Sequence, residues 1–276
     1  MNTRIIEQRT SLKNKLHNRS RLFAGWISYA HPSITETFAR AGFDFMAIDM
    51  EHSTISLEQA QRIIAASQSE GVPCLPRPVS HSNDYFKPLL DSGADGLLVQ
   101  MVNTPNEIEA IIGLLKYPPV GRRTYGVNRA QAYGFDFDTY IKNWNETSVF
   151  IIQVESIEAV ENIEKLLAFD EIDGVMVGPY DISGSLGVPG QTSHPLVIEA
   201  SRKVIAACER FGKSCGTQVA DASLESVQSL FDLGYTFAIL GSDLFVLWKW
   251  AEQMQKLMTA MRDSFLVKMN DELIFK

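Results

Sequence analysis

Phe43-Asp44-Phe45-Met46-Ala47-Ile48-Asp49-Met50-Glu51-His52 is the stretch on which the reading of this chain turns. A mostly apolar run from Phe43 to Met50 ends in three ionisable side chains, Asp49, Glu51 and His52. A buried strand that runs into charge delivers that charge to one rim of a sheet, where α/β proteins keep their reactive groups. The same residues would also suit the start of a following helix, so the other strand ends have to be weighed with this one.

Seven further runs share its character: Leu22–Ile27, Val72–Arg77, Gly96–Met101, Val149–Glu155, Gly174–Gly178, Ser214–Val219 and Phe237–Gly241. They are continuous rather than alternating in polarity, as strands covered on both faces are. Amphipathic helices separate them. Ser33-Ile34-Thr35-Glu36 and Ser56-Leu57-Glu58-Gln59 fit the capping box, and Thr104-Pro105-Asn106-Glu107 adds a proline at the first helical position. Gly42, Gly71, Gly93 and Gly234 stand where a helix C-terminus favours a left-handed residue.

Eight strand–helix units predict a (β/α)8 TIM barrel, residues 22–262, preceded by a basic amphipathic helix in 1–21 and followed by a C-terminal extension in 263–276, all one domain. A doubly wound open sheet is the alternative; even spacing and the lack of a Gly-x-Gly-x-x-Gly fingerprint weigh against it. Tyr117 to Thr147 breaks the rhythm as a long, aromatic-rich connection, a length usually functional or interfacial.

The composition narrows the function. At 276 residues, 45% hydrophobic and 21% charged, the chain is that of a soluble globular protein. A net charge of −8 argues against a nucleic-acid partner, and no apolar run approaches a membrane span. Cys74, Cys208 and Cys215 read as reduced thiols, which points to the cytoplasm.

Four strand ends aim polar groups at one rim. Strand two supplies Asp49, Glu51 and His52; strand three ends in Pro76-Arg77-Pro78, a guanidinium on a stiffened backbone. Strand five places Gln153 and Glu155 on one face, because strand side chains alternate. Strand six runs into Gly178-Pro179-Tyr180-Asp181. Glu155 and Asp181 fit either of two uses: oxygen ligands for Mg²⁺ or Mn²⁺, or caps for the helices that follow them. Together, opposite an arginine and a histidine, they favour the metal. Of the other histidines, His31 lies nearest the rim.

At these residues the chain resembles the metal-dependent class II pyruvate aldolases, the family of 4-hydroxy-2-oxo-heptanedioate and 2-keto-3-deoxy-sugar-acid aldolases. The motifs that carry the resemblance are Gly42 to Phe45 leading to Ile48-Asp49-Met50-Glu51-His52, then Arg77-Pro78, Leu89-Leu90-Asp91-Ser92-Gly93, Tyr117-Pro118-Pro119, Gln153-Val154-Glu155 and Gly178 to Ser183. Each is short; their order and spacing hold from about Phe23 to Leu257.

The resemblance implies a barrel of the phosphoenolpyruvate/pyruvate type and a homo-oligomer, a hexamer or trimer of dimers with the last helix exchanged. It implies a divalent metal (Mg²⁺, Mn²⁺ or Co²⁺) on Glu155 and Asp181, with Gln153, Tyr180 and Asp181 holding pyruvate. Tyr180 stands where relatives often have a smaller residue. His52 would be the base and Arg77 would stabilise the enolate. An aspartate at the Asp91 motif raises the basicity of the histidine in the family. Asp91 ends the helix after strand three, at the face opposite His52, so the pairing would need a neighbouring subunit. Asp49 is the rival orienting group.

The reaction expected from this layout joins pyruvate to an aldehyde or cleaves a 4-hydroxy-2-oxo acid. Decarboxylation or lysis of an oxaloacetate-like acid, or non-catalytic binding of an oxoacid, are the alternatives. A Schiff-base route is disfavoured, because Lys87, Lys116, Lys165 and Lys203 fall on expected helices rather than at strand ends. Aldehyde choice is expected to lie in the loops Tyr29–Ser33, Thr124–Phe137 and Leu186–His194.

Overall fold

A computed structural model describes residues 3–274, with side chains described through residue 263. The first half runs α1 (Thr3–His17), β1 (Leu22–Ile27), α2 (Pro32–Ala39), β2 (Phe45–Asp49), α3 (Leu57–Ser69), β3 (Cys74–Arg77), α4 (Asn83–Asp91), β4 (Gly96–Val99) and α5 (Pro105–Leu115). A 3-10 turn (Arg129–Gly134) and α6 (Phe137–Thr147) precede β5 (Val149–Val154), α7 (Ile157–Leu167), β6 (Gly174–Val177) and α8 (Pro179–Ser185). The chain continues through α9 (Pro195–Arg210), β7 (Ser214–Val219), α10 (Leu224–Asp232), β8 (Phe237–Leu240) and α11 (Asp243–Ile274).

The eight strands form one sheet in the order β3-β2-β1-β8-β7-β6-β5-β4, with parallel pairing throughout its ladders. The sheet curls until β3 meets β4, and Asp95 closes that seam. Its N–H donates to the Cys74 carbonyl at 2.9 Å, and its carboxylate accepts the Cys74 N–H at 2.9 Å. The expected (β/α)8 barrel is the fold observed.

Two apolar cores follow from the alternation of strand side chains. Ala24, Trp26, Phe45, Ala47, Ile151 and Phe237 fill the barrel, while Met46, Ile48, Ile152, Val175 and Val177 face the surrounding helices. Gly216 is required here: a Cβ on it would stand 2.1 Å from the Phe237 ring. Leu12 and Leu16 of α1 join the interior core, so α1 stops the barrel at the N-terminal end of its strands. Two basic residues of α1 turn inward: Arg9 is buried beside Asp95 at 3.8 Å, and Lys13 reaches Asp173 at 2.7 Å. Only the opposite, C-terminal rim is left open.

Several local expectations change. Helix α2 is capped by His31, whose ring accepts the Ser33 N–H at 3.2 Å, so Ser33 is the second helical residue rather than the cap. The capping boxes at Ser56–Gln59 and Thr104–Glu107 form. The connection from Tyr117 to Thr147 is not structureless: Tyr140 and Trp144, one helical turn apart, bury one face of α6. Helix α11 runs without a break through the expected extension as far as Ile274; residues 275–276 and the side chains beyond 263 lie outside the described residues.

Candidate active site

A cavity of about 670 Å³ opens at the C-terminal ends of the strands, lined by Asp49, His52, Arg77, Gln153, Tyr180 and Asp181 among others. Residues from all four of the expected strand ends therefore share one space, although Glu51 and Glu155 are not among those that line it.

The register of β2 against β3 sets Asp49 beside Arg77. Arg77 Nη2 donates to Asp49 Oδ1 at 2.7 Å, and Nη1 lies 2.9 Å from Glu51 Oε2. The guanidinium is also stacked 4.7 Å from the Trp26 ring centroid. Both terminal nitrogens are thus committed to carboxylates, while Nε is buried without a partner. Burial raises the Glu51 carboxyl above its ordinary range, with Arg77 the largest opposing influence.

Asp49 also shapes the turn that carries the histidine. Its Oδ1 accepts the N–H groups of Glu51 at 3.1 Å and His52 at 3.0 Å, and Ser53 Oγ donates to its carbonyl. Asp49 thus bonds the backbone of His52 and not its ring. The His52 side chain is 70% exposed, with Nε2 3.8 Å from Glu51 Oε2.

Across the cavity Glu155 is buried. It accepts the Met101 N–H at 2.7 Å and Gln153 Nε2 at 2.7 Å, as the strand alternation predicts. It does not cap α7; Ser156 does. Burial, together with Glu51 and Asp181, pushes its carboxyl up to about 7, against the N–H of Met101. Gly178 leaves room for it, since a Cβ there would stand 2.8 Å from Glu155 Cβ and 3.1 Å from Oε2. Gln153 Oε1 is buried without a partner. Helix α8 begins at Pro179 with no side-chain cap, and Asp181 sits in its first turn, exposed.

Crowded carboxylates beside an unpartnered amide oxygen suit a hard divalent cation that takes oxygen ligands. Among the described residues no three His, Cys, Asp or Glu side chains converge as a ready cage, so the remaining ligands of such an ion would come from substrate and water.

Asp91 stands apart. It ends α4 and pairs with Arg123 within the chain, Nη2 to Oδ1 at 2.8 Å. Arg123 lies 4.7 Å from the Trp144 ring centroid, and Arg9 lies 4.9 Å from the same centroid. Within one subunit Asp91 and His52 are not brought together.

Some wall residues gave no signal in the sequence. Ser28, Thr217, Gln218, Ser242 and Phe245 reach the cavity from the ends of β1, β7 and β8. Uncharged side chains at strand ends look like ordinary loop residues until the barrel closes around them. Of the loops expected to choose the aldehyde, 186–194 contributes Thr192, whereas 124–137 and 29–33 do not line the cavity. His31 is spent as a cap, and Lys116 follows α5 rather than lying on it, giving its ammonium to Asn145 O at 2.7 Å and Ser148 Oγ at 2.8 Å.

A family model described as HpcH/HpaI aldolase/citrate lyase matches residues 22–249. The chain is 33% identical over 240 residues to the hydroxypyruvate/pyruvate aldolase of Roseobacter denitrificans, covering 86% of this chain and 92% of that protein. It is 31% identical over 232 residues to the 2-keto-3-deoxy-L-rhamnonate aldolase of Salmonella typhi, covering 84% of this chain and 86% of that one. Among solved structures, an HpcH/HpaI aldolase/citrate lyase family protein of Burkholderia cenocepacia superposes with a TM-score of 0.83 at 29% identity, covering 91% of this chain and 99% of the other.

Proposed function

The chain belongs to the HpcH/HpaI aldolase/citrate lyase family, as a carbon–carbon lyase of the pyruvate-dependent aldolase kind, and from that premise we propose how its residues act. The observation that carries the reading is the meeting, in one cavity, of Arg77, Gln153 and Asp181 with the exposed His52, beside the buried Glu155.

Glu155 and Asp181 would hold a divalent cation, Mg²⁺, Mn²⁺ or Co²⁺, with Gln153 Oε1 beside it. When bound, the ion draws electron density from the pyruvate ketone as a Lewis acid, a contribution of several kcal/mol. The first turn of α8, next to Tyr180, presents N–H groups suited to the pyruvate carboxylate. His52 takes a proton from the pyruvate methyl group, a transfer worth roughly 10²–10⁴-fold when the base is well placed. Arg77 would stabilise the enolate oxygen, while Asp49 and Glu51 keep its guanidinium from moving.

The methyl carbon, having lost its proton, bonds to the carbonyl carbon of an aldehyde, and the aldehyde oxygen takes up a proton. Run backwards, the same groups cleave a 4-hydroxy-2-oxo acid to pyruvate and aldehyde. Asp91 of a second copy would orient His52 in a homo-oligomer, a hexamer or trimer of dimers. The protein would act in the cytoplasm, in keeping with its buried free cysteines.

The test is exchange of the pyruvate methyl protons in D₂O with each divalent ion. Exchange should vanish on chelation and return with the ion, and His52→Ala should slow it at least about 100-fold. Exchange undiminished in His52→Ala would remove the histidine from its role.

A further inference from the structure

We propose that the part of the cavity beyond pyruvate is made for an uncharged, hydroxyl-bearing aldehyde and disfavours one that carries a carboxylate. This rests on the aldolase reading above.

The first observation is charge. Asp49 and Asp181 line the cavity, with Glu51 and Glu155 close behind. Among the described lining residues the single lysine or arginine is Arg77, and its terminal nitrogens already meet Asp49 and Glu51. Lys249, one helical turn beyond Phe245, is paired with Asp221 at 2.5 Å. His52 has to be uncharged to accept a proton. A divalent cation would be offset by Glu155, Asp181 and the carboxylate of pyruvate. An aldehyde bearing its own carboxylate would therefore enter a space with negative charge in excess and no uncommitted lysine or arginine on its wall, and like charges brought together in a partly dry site repel.

The second observation is what the walls offer instead. Ser28, Tyr180, Thr192 and Gln218 line the cavity, and their side chains make no hydrogen bond within the described residues. Each carries both a donor and an acceptor, the pairing that a substrate hydroxyl needs. Gly190, at φ +78°, brings its loop against the Tyr180 hydroxyl, where a Cβ would already stand at 3.4 Å. Neutral polar groups held ready and cations already spent describe a site for hydroxyls.

The experiment compares matched aldehydes with pyruvate and Mg²⁺ or Mn²⁺: glycolaldehyde against glyoxylate, and glyceraldehyde against succinic semialdehyde. The hydroxyaldehyde of each pair should show kcat/KM at least about tenfold higher, with the gap narrowing in 0.5 M salt as like-charge repulsion is screened. Gln218→Arg, which adds a free cation to the wall, should narrow the gap at least about fivefold at low salt. Equal or better use of the carboxylated partners, or a gap that neither salt nor Gln218→Arg alters, would overturn the inference. Proton exchange into pyruvate, measured beside it, separates the two failures. Exchange and addition with the wrong aldehyde preference sink this inference alone; no addition to any aldehyde, with or without exchange, sinks the aldolase reading with it.

Discussion

Replacing Arg77 by methionine tests the centre of the site, because the structure states what the arginine holds. Its two terminal nitrogens lie 2.7 Å from Asp49 Oδ1 and 2.9 Å from Glu51 Oε2, and both Arg77 and Asp49 are 6% exposed. Removing one side of a buried ionic network strands the other side, at a cost of roughly 3–5 kcal/mol. For a domain of this size that corresponds to a fall in Tm of about 10 °C near neutral pH. The deficit should depend on pH, with a definite sign. The Glu51 carboxyl is already raised by burial, and Arg77 is the strongest influence holding it down. Without the arginine it keeps its proton to higher pH in the folded state than in the unfolded chain. The folded state then binds more protons within that window, so stability falls as pH rises through it. Melting curves of both proteins between about pH 5 and 8, the span over which a raised carboxyl titrates, should show the smallest deficit at the acid end. Arg77→Lys, which keeps the charge but not the fork, should fall between the two. Turnover in Arg77→Met should drop roughly 10²–10³-fold, as when an aimed donor is removed from a developing oxyanion. A Tm at neutral pH within about 2 °C of wild type, or a deficit that shrinks as pH rises, would refute the reasoning.

Further outcomes follow from other contacts. Gly178→Ala sets a methyl 2.8 Å from Glu155 Cβ, so divalent-ion affinity measured by calorimetry should fall at least about tenfold while circular dichroism stays unchanged; unaltered affinity would mean Glu155 is not a ligand. Burial lowers the Lys116 pKa to about 8, so between that value and its unfolded value the unfolded chain holds more protons and stability rises with pH. The stability of wild type minus that of Lys116→Met should therefore climb by about 1 kcal/mol per pH unit from about pH 8.5 to 10, and a flat difference in denaturant melts would contradict it. Mixed oligomers of Asp91→Ala and His52→Ala subunits, their assembly verified by native mass spectrometry, should regain activity that neither parent shows; no gain would confine Asp91 to its pairing with Arg123.

The chain's own order was enough for the barrel, because each cue is local. Continuous apolar runs mark strands covered on both faces, Ser56 and Thr104 announce helices within four residues, and alternation alone puts Gln153 and Glu155 on one side of β5. What no window of sequence contains is register and closure. Arg77 belongs to Asp49 and Glu51 because β3 aligns with β2 at that residue, and Asp91 belongs to Arg123 across 32 positions of chain. Ser28, Gln218 and Ser242 become cavity walls when β1, β7 and β8 complete the ring, and as uncharged residues they had nothing to announce them. Periodicity is set by a residue's neighbours along the chain and is legible there; which charge meets which, and what is left free for a substrate, depends on distances that exist only after the barrel has closed.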